Sequence, residues 1–254
     1  MKAVILAGGE GTRLSEYTDV VPKPFVEIGG KAVILHIMDY LSKFGVTDFI
    51  VCLGYKSEYA RRYFSQLCLS FNDVTVFGDG SDPINHTQLR SDWEVTLLDT
   101  GLKSLTGRRL WRIKEYIEDE RFFLTYGDGV SNINISDLIE FHDKSGSLCT
   151  LTAVRPVARF GELELDASGS VKSFVEKNQL AQGWINGGYM IMEPSIFEFM
   201  NDSNEMLETG LLQRLSAKER LSAFRHDDFW QCMDNKRDKE MLEAIWETGD
   251  APWK

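Results

Sequence analysis

Apolar residues recur along this chain in two rhythms. Short, nearly unbroken apolar runs at 3–6, 48–53, 93–98, 121–126 and 148–154 have the length and character of strands covered on both faces. Between them, Val33, Ile34, Ile37, Met38, Leu41 and Phe44 fall at helical spacing, and Gly45 ends that helix. Positions 59–67, 109–117 and 135–142 read as further helices. This alternation predicts an α/β fold, with a mainly parallel, Rossmann-like sheet flanked by helices and right-handed crossovers. Beyond position 160 the pattern turns β-rich, with strand-like runs at 161–166, 171–176, 189–192 and 229–233. One domain over 1–254 is expected, with a core over about 1–150 and a β-rich part over about 151–254.

Composition narrows the partners. The 254 residues are 43% hydrophobic, enough for one large core, and carry a net charge of −11. That balance argues against a nucleic-acid or anionic-membrane surface. An anionic ligand must then meet local positive charge, which raises the weight of Arg13, Lys23, Arg109 and Lys177. Cys52, Cys68, Cys149 and Cys232 form no C-x-x-C pair and read as reduced thiols. His36, His86, His142 and His226 lack metal-ligand spacing, and His36 and His142, on predicted helices, read as structural. Neither a signal peptide nor an 18-residue apolar run is present, so the cytoplasm is the expected compartment. Positions 77–91, with Gly78-Asp79-Gly80-Ser81-Asp82-Pro83, read as a surface loop.

The first strand runs into Ala7-Gly8-Gly9-Glu10-Gly11-Thr12-Arg13-Leu14, with Pro22-Lys23-Pro24 close behind. Glycines bring backbone N–H groups close to a ligand, and a row of them makes an anion nest to which Thr12, Arg13 and Lys23 add a hydroxyl and charge. A dinucleotide fingerprint would need glycine where Leu14 stands, and a Walker loop would need Gly-Lys-Ser/Thr where Gly11-Thr12-Arg13 stands. A plain glycine turn is the simpler alternative, made less economical by the prolines that should hold Lys23 extended and bent back over the loop. In open α/β sheets ligands sit beyond the carboxyl ends of the strands, where Tyr126-Gly127-Asp128-Gly129 also lies. Taken alone, Asp128 and Asp234 each read more readily as solvated or capping residues, while an exposed ion pair at Glu176-Lys177 and a solvated helix-start arginine at Arg109 are the simpler alternatives there.

Together, G-G-x-G-T-R-L and P-K-P resemble the sugar-1-phosphate nucleotidylyltransferase family. The resemblance continues through Tyr126-Gly127-Asp128-Gly129, Glu176-Lys177, Trp184-Ile185-Asn186-Gly187-Gly188 and Phe229-Trp230-Gln231-Cys232-Met233-Asp234. Within it, Val26-Glu27-Ile28-Gly29-Gly30-Lys31, Leu98-Asp99-Thr100-Gly101 and Ala251-Pro252-Trp253-Lys254 look like the cytidylyltransferase branch. The resemblance implies a glycosyltransferase-A-like fold whose β-rich part binds sugar, and attack by a sugar 1-phosphate, glucose 1-phosphate first among them, on the α-phosphorus of CTP. It implies nucleotide contacts from Leu6, Ala7, Gly8, Gly9, Gly11, Thr12, Arg13, Lys23, Gly107 and Arg109. Sugar-phosphate contacts are implied at Tyr126, Gly161, Glu176, Lys177, Asn186 and Gly187, and a Mg²⁺ ion on Asp128 and Asp234. Lys23, Arg13 and Asp128 would carry catalysis in a cytoplasmic homo-oligomer without nucleic-acid or membrane partners.

Two positions depart from the family pattern: E-K-P appears as Glu176-Lys177-Asn178, and M-D-T as Met233-Asp234-Asn235. The first is expected to free the backbone beside the sugar phosphate, the second to alter the surroundings of a metal carboxylate. Three other readings stay open: another nucleotide or sugar, a non-catalytic nucleotide-sugar-sensing relative, and a D-x-D glycosyltransferase.

Overall fold

The computed structural model describes residues 1–71, 74–75, 77–81, 84–85, 92–156, 162–175 and 183–254. The first four apolar runs become β1 (Lys2–Leu6), β2 (Asp48–Leu53), β3 (Glu94–Asp99) and β4 (Phe122–Tyr126). A short β5 (Gly129–Ser131) follows, then β6 (Cys149–Val154), the hairpin β7 (Glu162–Leu165) and β8 (Val171–Val175), and β9 (Ile185–Met192). The last strands are β10 (Leu221–His226) and β11 (Trp230–Cys232). The main helices are α1 (Val33–Ser42), α2 (Ser57–Phe71), α3 (Thr106–Arg112), α4 (Ile135–Ser145) and α5 (Lys236–Glu247).

Seven strands form one sheet in the order β10-β6-β9-β4-β1-β2-β3, in which β9 runs antiparallel to both neighbours and every other pairing is parallel. Successive β1 side chains point to opposite faces: Ala3 and Ile5 join the core under α1, and Val4 and Leu6 the core under α3. Both faces are buried, which is why the strand is an unbroken apolar run. Leu6 sits opposite Cys52 of β2 and Tyr126 of β4. The loops after these strands therefore open onto one crevice.

The structure departs from periodicity in three places. The helix expected at 109–117 begins at Thr106, stops at Arg112 and is followed by a tight turn over Lys114–Tyr116. Its start is fixed from outside the helix: the Gly107 N–H donates to the Glu205 carbonyl (3.1 Å) and the Leu207 N–H to Thr106 Oγ1 (2.8 Å). The run at 229–233 pairs only over β11, and with β5 rather than with the main sheet. Lys23, expected to lie extended, instead opens a 3-10 turn, Lys23–Phe25, after an extended Pro22. Of the loop expected at 77–91, residues 77–81 are exposed, but Ile84–Asn85 instead pair as a short strand with Val74–Thr75, and 82–83 and 86–91, His86 among them, lie outside the described residues.

The C-terminal residues close one face. Trp253 is buried, stacks on Phe229 with ring centroids 5.3 Å apart, and donates its indole N–H to His36 Nδ1 (3.3 Å). His142 is likewise buried, bonded to Thr150 Oγ1 (2.7 Å) and Glu193 Oε1 (3.1 Å). Burial pushes the Cys52, Cys149 and Cys232 thiols up to about 12. No described helix is long and apolar enough to cross a membrane.

Candidate active site

The glycine loop leaves β1 between two strand ends that tie it down. The Ala7 N–H still donates to the Cys52 carbonyl (3.0 Å), and the Gly8 carbonyl accepts from the Tyr55 N–H (3.1 Å). Gly11 takes φ +64°, a conformation that glycine adopts without strain, and the chain then turns through Thr12–Leu14. Gly9, Thr12 and Arg13 are exposed on the rim, while Leu6, Ala7 and Gly8 are buried. Together with Gly11, Arg13, Lys23, Arg109, Tyr126 and Asp128, all of these except Thr12 line a cleft of about 360 Å³.

Three elements distant in sequence converge at one end of that cleft. Lys23 Nζ donates to Asp128 Oδ2 at 2.5 Å and to Asp234 Oδ1 at 2.7 Å. Arg13 Nη1 lies 2.8 Å from the other Asp234 oxygen. Asp128 arrives from the end of β4; Asp234 arrives from β11, and the two are locked by the Met233 N–H bond to the Asp128 carbonyl (2.8 Å). Burial by itself would lower the Lys23 pKa, but the two carboxylates outweigh it and hold the ammonium above its ordinary value. Burial would likewise raise Asp234, and Lys23 and then Arg13 reverse the sign, leaving it below the usual carboxylate range. Among the described residues no group of three or more His, Cys, Asp or Glu gathers to hold a metal. The paired carboxylates nonetheless suit Mg²⁺, which is bound by one or two carboxylates with phosphates and water completing its shell. They flank a single point already occupied by a cationic group, so their donor chemistry fits the ion.

Arg109 is not a solvated helix-start arginine. It is buried, and its guanidinium donates to the carbonyls of Gly8 (2.8 Å), Leu53 (2.9 Å) and Gly101 (2.9 Å) and to Thr100 Oγ1 (2.8 Å). It clamps the glycine loop to the ends of β2 and β3. A Cβ at Gly8 would lie 2.2 Å from Nη1, so glycine there makes room for the clamp. Gly107, expected among the nucleotide contacts, is absent from the cleft lining: its N–H is taken by Glu205, against whose carbonyl the helix packs.

Among the residues expected to contact sugar, the Tyr126 hydroxyl donates to Glu208 Oε1, which also lines the cleft, and Thr106 Oγ1 donates to Glu208 Oε2 (3.2 Å). Burial, then the Glu208 charge, keeps the Tyr126 phenol protonated. Asn186 and Gly187 are absent from the cleft lining: Asn186 Oδ1 accepts from the Gly188 N–H (2.9 Å), and the Gly187 carbonyl accepts from Trp230 Nε1 (2.7 Å). Gly188 needs its φ of +81°, and a Cβ there would meet the Tyr126 ring at 2.6 Å. Gly161, Glu176 and Lys177 lie outside the described residues. Sequence reasoning missed Pro24, Ser104, Leu105, Thr106, Met206 and Glu208, which also line the cleft. Only the second proline of P-K-P carried any signal for them.

Of the two departures from the family pattern, Asn178 lies outside the described residues and Asn235 within them. The Asn235 side chain accepts from the Asp238 N–H (3.1 Å), and Asp238 Oδ2 accepts in return from the N–H groups of Asn235 (3.2 Å) and Asp234 (2.9 Å). It is the N-cap of α5, a role that threonine and asparagine both perform.

Comparison with known proteins gives the family. The family model for nucleotidyl transferases matches residues 2–235. The chain is 47% identical over 256 residues to glucose-1-phosphate cytidylyltransferase of Salmonella typhi, covering 100% of this chain and 99% of that one. It is 38% identical over 255 residues to a probable glucose-1-phosphate cytidylyltransferase of Bacillus subtilis, with the same coverage. Among solved structures, UDP-glucose pyrophosphorylase complexed with UDP-glucose superposes with a TM-score of 0.69 at 16% identity, covering 98% of each chain.

Proposed function

This chain belongs to the nucleotidyl transferase family, and from that premise we propose that it transfers a cytidylyl group from CTP to α-D-glucose 1-phosphate, forming CDP-glucose and pyrophosphate. One observation carries the chemistry: Lys23, Asp128 and Asp234 converge at the end of a cleft lined by the glycine loop. The product fits a role in nucleotide-sugar supply for surface polysaccharide, and a cytoplasmic site of action.

The reaction joins two anions. A sugar phosphate oxygen is already ionised at neutral pH, so no general base is needed and the barrier is one of charge and alignment. Backbone N–H groups of the glycine loop receive the triphosphate, and Arg13 on the rim braces the β- and γ-phosphates that leave. Lys23 faces the α-phosphorus, where negative charge accumulates in the transition state. Arg109 acts through the loop by fixing the Gly8 carbonyl, and with it the wall against which the base rests. Tyr126, Asn186 and Gly187 form the sugar side, with Glu176 accepting from hexose hydroxyls and Lys177 and Gly161 at the sugar phosphate. Asp128 and Asp234 would hold Mg²⁺, which when bound neutralises phosphate charge and orients the oxygens.

The test is pyrophosphate release from CTP, UTP, dTTP, GTP and ATP against a panel of sugar 1-phosphates with Mg²⁺. The highest kcat/KM is expected for CTP with α-D-glucose 1-phosphate. A preference for a purine triphosphate, or no pyrophosphate with any pair, would overturn the reading.

A further inference from the structure

We propose that Lys23 keeps the divalent-cation position shut in the nucleotide-free protein, so that the metal enters only together with the triphosphate. This rests on the reading that Asp128 and Asp234 are the metal carboxylates. The Lys23 ammonium sits on the point those carboxylates share, bonded to one oxygen of each, while Arg13 takes the second oxygen of Asp234. Two negative and two positive groups make a neutral cluster. The side chains of Lys23, Asp128 and Asp234 are only 11%, 27% and 15% exposed. Two carboxylates this close would repel if left alone, and the cation that relieves them here belongs to the chain itself.

A free divalent ion has little to gain at such a cluster. To reach the carboxylates it must expel a buried ammonium, which then loses both of its anionic partners. The anchor of that side chain is fixed, because Lys23 is held between Pro22 and Pro24 and Pro24 packs against Gly127, so the ammonium retreats only by swinging its own side chain away from both carboxylates. A triphosphate changes the balance. Lying over the glycine loop, it offers phosphate oxygens to Lys23 and Arg13 at the moment the metal takes the carboxylates. The exchange swaps one cation for another without leaving any charged group unpaired. Lys23 thus has two successive sets of partners: carboxylates before the nucleotide binds, phosphates afterwards.

Mn²⁺ binding to the substrate-free protein, followed by electron paramagnetic resonance of the unbound ion, tests this without turnover. Wild type alone is expected to bind Mn²⁺ weakly, and with a non-hydrolysable CTP analogue to bind one ion tightly. Lys23→Met alone is expected to bind one Mn²⁺ about a hundredfold more tightly than wild type alone, the scale of freeing a buried charge pair. Lys23→Met/Asp234→Asn is expected to lose that gain. The melting temperature should rise with Mn²⁺ for Lys23→Met and stay unchanged for wild type. Tight, stoichiometric Mn²⁺ binding by nucleotide-free wild type would overturn the proposal whether or not the variant folds. So would a folded Lys23→Met with wild-type affinity. If Asp128→Asn and Asp234→Asn both left the analogue-dependent site intact, the fault would lie instead with the assignment of the carboxylates.

Discussion

Lys23 and Arg109 are both buried cations at the same loop, and their partners separate their roles. Lys23 pairs with carboxylates that a ligand can replace, whereas Arg109 is saturated by carbonyls of the fold itself. Lys23→Ala is expected to lower kcat by roughly 10²–10³, because its contact strengthens as charge builds in the transition state. Lys177→Ala should chiefly raise KM for the sugar phosphate. Steady-state kinetics on both variants checks the division, and identical profiles would refute it. Arg109→Lys replaces a planar fork by a single ammonium and cannot serve Gly8, Leu53 and Gly101 together. We expect KM for CTP to rise about tenfold and stability to fall by about 1–3 kcal/mol for the carbonyls left unmatched, measured by kinetics and urea unfolding. A wild-type KM would show that the clamp does not shape the nucleotide site.

At the scale of elements, two contacts decide where the site residues stand. The first is α3 against the 205–208 segment, where a Cβ on Gly107 would lie 2.9 Å from the Glu205 carbonyl oxygen and 3.3 Å from the Leu207 nitrogen. Both are backbone atoms, which cannot swing aside. Gly107→Ala should therefore cost about 1–3 kcal/mol and shift Glu208 in the cleft, to be read in urea unfolding and in KM. Unchanged unfolding would mean that the segment yields freely. The second contact is the β5–β11 ladder with the cap of α5, which delivers Asp234 to Asp128. Asn235→Ala should cost about 1 kcal/mol and Asn235→Thr only a few tenths, seen in the urea midpoint. The departure from the family pattern at 235 is then structurally mild.

For the whole molecule, the buried seam between α1 and the C-terminal residues sets the acid limit. His36 bonds through Nε2 to the Ile28 carbonyl (2.9 Å) and through Nδ1 to the Trp253 indole N–H. Nδ1 must accept there, so the ring donates from Nε2 and is neutral. Burial, aided by the Lys31 charge and opposed by the Ile28 carbonyl and Glu243, lowers its pKa from 6.5 to about 4. Burial lowers His142 as well. A depressed folded-state value means that the unfolded chain takes up the proton first. The stabilisation is whole above the unfolded value and is lost as pH falls from 6.5 toward 4. For His36 the loss is on the order of 3 kcal/mol. Urea unfolding across that range should show it, and His36→Gln should flatten the dependence. A variant as pH-sensitive as wild type would move the effect elsewhere.

Local pattern alone determined the core strands of the sheet and the glycine loop, though not the edge strand β10 (Leu221–His226) or the antiparallel run of β9. A strand buried on both faces needs an unbroken apolar run, and a backbone that turns at positive φ to approach an anion favours glycine, so both leave their mark within a few residues. The P-K-P lysine stood out beside that loop for its flanking prolines, whereas both aspartates were singled out only by the family resemblance. Their partners were not legible. Lys23 lies 105 positions from Asp128 and 211 from Asp234, and no periodicity reports a contact across such distances. Tertiary structure alone took β11 off the main sheet, started α3 at Thr106 and turned Arg109 from a free charge into a clamp. It also set Lys23 between the carboxylates, because a crevice of low exposure does not leave two like charges side by side without a cation from somewhere in the fold.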